Sequence, residues 1–266
     1  MKKPFLTKLN IVIIVILLLV GVISLFTHII VTKDSLRTSA GTNLCYVIYN
    51  NKELNELLDC KKIPKESLDN LSESECNNVT TKMFDKLYDG EEKILDEIDI
   101  RSIIKESIIA YEEKSGMDIY SNIEEDLLEV SRKIVENFND KSLYSEINTI
   151  STVSSYYIIP LVIVVILLLA IIVNEKENSP LIVGLLLTSI SFVSYYFLLE
   201  VPRMLYKHIS IIKLLNIDLS IKTEEIATSI CCVILFIGLF ALAIYVVKKV
   251  RKIYRRSRVA YLDKYY

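Results

Sequence analysis

Four long apolar runs interrupt an otherwise polar chain. They cover residues 11–31, 156–173, 181–199 and 226–247, and none of them contains Asp, Glu, Lys or Arg. A helix needs about 20 apolar residues to cross the hydrocarbon core of a bilayer, and each run is close to that length. The pattern therefore predicts four transmembrane helices.

Prolines mark where two of these helices begin. Pro160 falls in the first turn of the second run, and Pro180 directly precedes the third. At a helix start the missing N–H of proline costs no hydrogen bond. Because only the short polar stretch 174–180 joins the two runs, we expect them to form an antiparallel hairpin of helices.

The first run is either a permanent anchor or a cleaved leader. It is longer than the roughly 7–15 apolar residues of a secretory leader, which favours an uncleaved span. The alternative is cleavage after Ala40, where small residues resemble a processing site. That position lies well beyond the run, so the anchor is the interpretation we adopt.

The polar segment 32–155 carries helical patterns and no convincing strand alternation. Apolar residues in 100–113 recur three and four positions apart, with Asp99 as the expected N-cap and Gly116 as the stop. A capping-box pattern at Ser121 opens a second helix, whose apolar stripe is Ile123, Leu127, Val130, Ile134 and Phe138. These patterns predict a helical domain large enough to bury a modest core.

Two shorter helices are predicted earlier in the same segment. One covers 81–89 and stops at Gly90, and the other covers 44–58 with a break expected at Asn50–Asn51. Residues 59–78 contain Pro64 and several Ser and Asn, so they are expected to be a polar connector.

Charge separates this segment from the rest of the chain. It holds 15 Lys and Arg against 26 Asp and Glu, a net charge of −11, whereas the whole chain is at −2. With both termini in the cytoplasm, the inner segments carry 12 Lys and Arg and the outer membrane-proximal segments carry 7. The positive-inside rule then favours cytoplasmic termini and an acidic segment outside. The basic tail 248–266 also suits anionic lipid headgroups.

Three cysteines lie in the acidic segment and two in the last apolar run. An odd number cannot pair completely, so Cys45, Cys60 and Cys76 allow one bridge or none. A Cys60–Cys76 bridge is the pairing we consider, on the sole ground that an outer compartment is oxidising. Cys231 and Cys232 are interpreted as apolar filler of the last helix.

Candidate chemistry is sparse. No phosphate-binding, metalloprotease or hydrolase motif occurs, and we nominate no catalytic, cofactor-binding or metal-binding residue. His28 and His208 are considered as a metal or pH-sensing pair, but no ligand pattern accompanies them. The spans lack charged residues near the bilayer centre, which argues against a transporter.

Two further features concern helix packing. Gly184, Thr188 and Ser191 put small residues on one face of the third span, and such faces mark helix–helix contacts in membranes. The loop 200–225 alternates apolar residues with Lys and His. It is predicted to be either an amphipathic helix lying in the membrane interface or a lid docked on the acidic domain.

The sequence thus predicts an all-α integral membrane protein with four transmembrane helices and a helical extracytoplasmic domain inserted between the first and second. We expect a multi-pass protein of the cell membrane that is not an enzyme and needs no cofactor or nucleic acid. Its domain 32–155 would serve interaction or sensing through a protein partner; the alternatives are a structural subunit of a membrane complex and, with less support, a membrane enzyme or transporter. The predicted segments are the N-terminus 1–10, spans 11–31, 156–173, 181–199 and 226–247, the domain 32–155, the turn 174–180, the outer loop 200–225 and the tail 248–266.

Overall fold

The computed structural model describes residues 3–174 and 178–265, with side chains described for 9–173, 178–220 and 222–255. The chain is 85% helical, and none of the described residues lies in a strand, which confirms the all-α class. The middle of the predicted turn 174–180, residues 175–177, lies outside the described residues, as do the first two residues and the last. The side chains of 1–8 and 256–266 also lie outside the described residues, and they include several Lys and Arg of the N-terminus and the basic tail.

Twelve helices follow one another along the described residues, with a 3₁₀ turn at Lys65–Leu68 between the fourth and the fifth. They are α1 (Lys3–Ile30), α2 (Lys33–Ala40), α3 (Asn43–Tyr49), α4 (Lys52–Cys60), α5 (Glu73–Asp89), α6 (Glu97–Ser115), α7 (Tyr120–Phe138), α8 (Lys141–Ser155), α9 (Ile158–Asn174), α10 (Ser179–His208), α11 (Ser210–Leu214) and α12 (Ser220–Tyr265).

Four helical stretches are long and apolar enough to cross a membrane, as the apolar runs predicted. They lie in α1, α9, α10 and α12. Pro160 is in the first turn of α9, as expected, but α10 continues past the predicted end at residue 199 and contains Pro202. The last helix, α12, has 46 residues, so at 1.5 Å per residue it is about 69 Å long and far exceeds the predicted span.

The chain divides into two compact units. The span unit comprises Met1–Thr27, Val153–Val201 and Ser220–Tyr266, and holds the membrane-length helices. The polar unit comprises His28–Thr152 and Pro202–Leu219. Within the polar unit, α6 packs against α7 and the 3₁₀ turn, α5 packs against α2 and α3, and α4 packs against α7.

Side-chain caps explain several helix starts in the polar unit. Ser72 Oγ accepts the N–H of Glu75, so α5 begins at Glu73 and the predicted connector 59–78 is too long. Asn51 Oδ1 accepts the N–H of Leu54 at 2.9 Å and opens α4, which confirms the predicted break between α3 and α4. Thr32 caps α2 in the same way, a helix that no periodicity predicted.

Two predicted N-termini are wrong. The α6 helix begins after Asp96, so Asp99 lies in its first turn and is not the N-cap. The capping box at Ser121 does not form, because Glu112 Oε1 accepts the N–H groups of Ile119 and Tyr120 and starts α7 before Ser121. A carboxylate from the preceding helix satisfies these donors, which a local sequence pattern cannot indicate.

Glycines end two helices as predicted. Gly90 after α5 has φ of 79° and Gly116 after α6 has φ of 70°. This left-handed conformation carries little cost for glycine alone, so each residue closes its helix without strain.

Residues Pro202–Leu219, which we call the docked segment, belong to the polar unit. Its apolar side chains Ile209, Ile211, Ile212 and Leu215 are completely buried. Glu146 on α8 accepts the backbone N–H of Ser210 at 2.6 Å and its hydroxyl at 3.0 Å. Asn43 Nδ2 donates to the Asn216 carbonyl at 3.1 Å. Of the two predictions for the loop 200–225, the structure therefore matches the lid docked on the acidic domain.

Candidate functional site

A disulfide cross-links two helices of the polar unit. Cys45 on α3 is bonded to Cys76 on α5, with their Cα atoms 5.7 Å apart. The Cys60–Cys76 pairing is therefore wrong. Cys60 lies at the end of α4, which packs on α7, whereas α3 packs directly on α5. Cys60 is an exposed free thiol.

The exit from α1 is tied to α5 by two polar contacts. Tyr88 donates its hydroxyl to the carbonyl of Val31, and Lys33 Nζ lies 2.8 Å from an Asp85 carboxylate oxygen. Burial raises the pKa of the Tyr88 phenol, and the hydrogen bond to Asp85 raises the pKa of Lys33. Both groups keep their ordinary neutral-pH protonation state, so these contacts hold the chain in place.

Asp96 forms ion pairs with two lysines of the polar unit. Lys86 and Lys93 each approach its carboxylate to 2.9 Å, and their hydrogen bonds hold the pKa of Asp96 below its ordinary value. Lys141 acts in the same way on Glu92, also lowering its pKa. Both arrangements favour the carboxylate, so neither stores a proton for general acid catalysis near neutral pH.

The structure assembles no metal site from the described residues. No group of three His, Cys, Asp or Glu side chains converges in that part of the chain. Neither His28 nor His208, considered as a metal or pH-sensing pair, therefore belongs to such a group there. A structural metal usually takes four protein ligands and a catalytic one three.

The small-residue face of the third span meets another helix of the same chain. A Cβ added at Gly184 would lie 3.0 Å from the Gly238 carbonyl, and one added at Gly238 would lie 2.9 Å from the Thr188 backbone nitrogen. Ser191 donates its hydroxyl to the Cys231 carbonyl at 2.7 Å. Gly184, Thr188 and Ser191 thus pack α10 against α12, so this face is already occupied inside the span unit.

One groove in the polar unit has the size of a ligand site. It has a volume of about 350 Å³ and is formed by the α3–α4 turn, the end of α7 and the docked segment. Asn50 and Asn51, interpreted from sequence only as a helix break, line it together with Asn137 and Asn216. No motif predicted this groove, because its residues are distant in the chain.

No known protein family matches the chain, and no curated protein or solved structure matches it either. Function must therefore be argued from the chemistry of the polar unit. That unit is a disulfide-linked group of helices, with carboxylates whose ionised form is stabilised by lysines and with a groove lined by asparagine amides.

Proposed function

We propose that the chain is a multi-pass protein of the cell membrane whose polar unit lies outside the cytoplasm and binds a protein partner. The observation that carries the proposal is the Cys45–Cys76 disulfide inside the polar unit. Disulfides persist in oxidising compartments and are rare in the cytosol. With four spans, an external polar unit puts both termini in the cytoplasm.

The charge distribution supports the same orientation. The segment 32–155 has a net charge of −11, whereas the ends 1–10 and 248–266 carry 11 Lys and Arg against one acidic residue. The positive-inside rule places such ends in the cytoplasm. The disulfide and the charge distribution are independent features, and both favour a polar unit outside the cytoplasm.

Binding is the activity that this unit supports best. Its acidic groups that show a shift are stabilised as anions by lysines, and the described residues hold no metal cluster. A substantial helical body with a buried core and a polar surface is suited to recognition. The alternative of a structural subunit rested on the Gly184 face as a contact for another protein. That face already packs against α12 of the same chain, so the alternative has less support.

Thiol labelling in intact cells tests the orientation. A membrane-impermeant maleimide should label Cys60, which is exposed, without permeabilisation. A Lys249→Cys variant in a Cys60→Ser background should be labelled only after permeabilisation. The reverse pattern would overturn the proposed topology.

Photocrosslinking of the full-length chain in its native membrane tests partner binding. A photoreactive residue at exposed Glu113 or Glu125 of the polar unit should give a defined protein adduct. The same residue at Val165, which is exposed on α9, serves as the comparison within the span unit. Adduct-free monomer at every polar-unit position would count against the binding role.

A further inference from the structure

The groove of the polar unit has an apolar floor and a rim of amides. The half-buried side chains of Val47 and Leu214 form the floor, with the almost completely buried Ile134 and Phe138 beneath them. Asn50, Asn51, Asn137 and Asn216 stand around it, and the ring of Tyr46 is 59% exposed beside them. Ligand sites typically combine this kind of apolar surface with a few polar groups that fix orientation, in volumes of about 300–1,000 Å³.

Each rim amide keeps hydrogen-bonding capacity to spare. Asn50 and Asn137 donate Nδ2 to the carbonyls of Tyr46 and Lys133, so their Oδ1 atoms remain as acceptors. Asn51 uses Oδ1 to cap α4, so its Nδ2 remains as a donor. Among the described residues, no hydrogen bond uses the side-chain amide of Asn216. The rim therefore offers both donors and acceptors.

The groove is also nearly free of charge, unlike the acidic surface of the unit. None of its lining residues is a carboxylate, and Lys52 is its only cation. Lys52 is itself paired with Glu56, at 3.4 Å, one turn along α4. An uncharged ligand therefore fits better than an ionic one, because a buried ion would lack a partner there.

We propose that this groove binds an uncharged, extended stretch of polypeptide with one apolar side chain against Tyr46, Val47 and Leu214. A peptide group presents one donor and one acceptor, the same pair that an asparagine amide carries, so the rim can pair with a ligand backbone. Peptide recognition commonly takes affinity from main-chain hydrogen bonds and specificity from a side-chain pocket. This inference rests on the proposed binding function and narrows its partner to a peptide segment.

The test uses the full-length chain in nanodiscs and a phage-displayed library of random heptapeptides. Selected peptides should share an apolar residue between uncharged neighbours. Affinity of a selected peptide is then measured for wild type and for Asn137→Ala, which should weaken binding about tenfold through loss of a desolvated hydrogen bond.

Asn122→Ala is the matched control. Asn122 and Asn137 are both exposed on α7, and each donates Nδ2 to the carbonyl four residues earlier, Asp118 and Lys133 respectively. Each substitution therefore removes one exposed amide and one local hydrogen bond of the same kind, but only Asn137 lines the groove. The Asn122 variant should bind within about twofold of wild type.

Three outcomes would overturn the inference. Peptides that bind wild type and Asn137→Ala equally would put recognition elsewhere and leave the proposed binding function standing. Selection of charged peptides or of none would remove the uncharged-peptide class. A glycan array that binds wild type and loses binding with Asn137→Ala would show that the groove recognises sugars. Failure of the crosslinking experiment, by contrast, concerns the proposed function itself.

Discussion

The two units bury their large apolar residues in opposite ways. In the polar unit, Phe84 and Phe138 are almost completely buried, as in a water-soluble domain. In the span unit, Phe26 is completely buried, but Phe192, Phe236 and Phe240 are 60%, 72% and 60% exposed. Phenylalanine is therefore a core residue in the polar unit and mostly a surface residue among the described side chains of the span unit. The difference is the solvent that each surface is suited to, water for one and hydrocarbon for the other.

The source of stability differs accordingly. Burial of apolar surface drives folding where the alternative is contact with water. Between membrane helices that gain is absent, so close packing and interhelical hydrogen bonds contribute instead. Gly184, Gly238 and Ser191 provide such contacts between α10 and α12.

The largest expected effect contrasts two phenylalanines. Phe84→Ala should destabilise the polar unit by about 3–5 kcal/mol, since it leaves a cavity in a packed core. Phe236→Ala, at a residue that is 72% exposed in the span unit, should change stability far less. Pulse proteolysis of the full-length variants in nanodiscs measures both. Equal losses would break the distinction between the two units.

A medium loss of stability is expected when Gly238 of the span unit is replaced, in contrast to Gly21. Gly238→Ala places a Cβ 2.9 Å from the Thr188 backbone nitrogen, so the helices must move apart, at about 1–3 kcal/mol. Gly21→Ala meets side chains and no backbone atom: Leu161 Cδ2 lies at 2.7 Å and can rotate away, and Pro160 Cγ lies at an ordinary contact distance of 3.5 Å. Thermal unfolding in detergent should therefore show a lower midpoint for the Gly238 variant alone. A drop for Gly21→Ala as large as that for Gly238→Ala would contradict the backbone argument.

The smallest effect is a pH dependence at Asp96. Its lowered pKa means that its contribution is present above the ordinary Asp pKa of about 3.9 and is lost as pH falls through the native value. Asp96→Asn should cost at most about 1 kcal/mol at pH 7, because the side chain is 35% exposed and screened. The difference from wild type should fade below about pH 4 in a proteolysis series.

Asp59→Asn is the control for that series. Asp59 is exposed and takes part in no ion pair among the described side chains. Its variant should follow wild type at every pH. A parallel shift in both variants would mean that general surface charge, and not the Asp96 pairs, sets the response.

Local patterns predicted much of this fold. The four apolar runs correspond to the four membrane-length helices, since span length follows directly from bilayer thickness. Gly90 and Gly116 end their helices and Asn51 begins another, because each effect depends only on residues nearby. The missed helices α2 and α8 have short or weak apolar stripes, so their periodicity did not stand out.

Features that join distant residues could not be predicted in this way. Cys45 pairs with Cys76 because α3 packs on α5, and three cysteines alone do not reveal that packing. Glu112 on α6 accepts the N–H of Tyr120 because α6 packs on α7, and the local pattern at Ser121 does not reveal that packing. The amide groove needs Asn51, Asn137 and Asn216 in one place, which only the tertiary fold provides.

The docked segment also has a consequence for the order of synthesis. It supplies Ile209, Ile212 and Leu215 to the polar unit, yet the ribosome makes it only after α9 and most of α10. The Cys45–Cys76 bridge can close much earlier, while this part of the core is still missing. The polar unit therefore remains partly assembled, with apolar surface uncovered, until α9 and most of α10 have been produced. Such an intermediate is aggregation-prone, so its maturation should depend on how quickly α9 and α10 are synthesised.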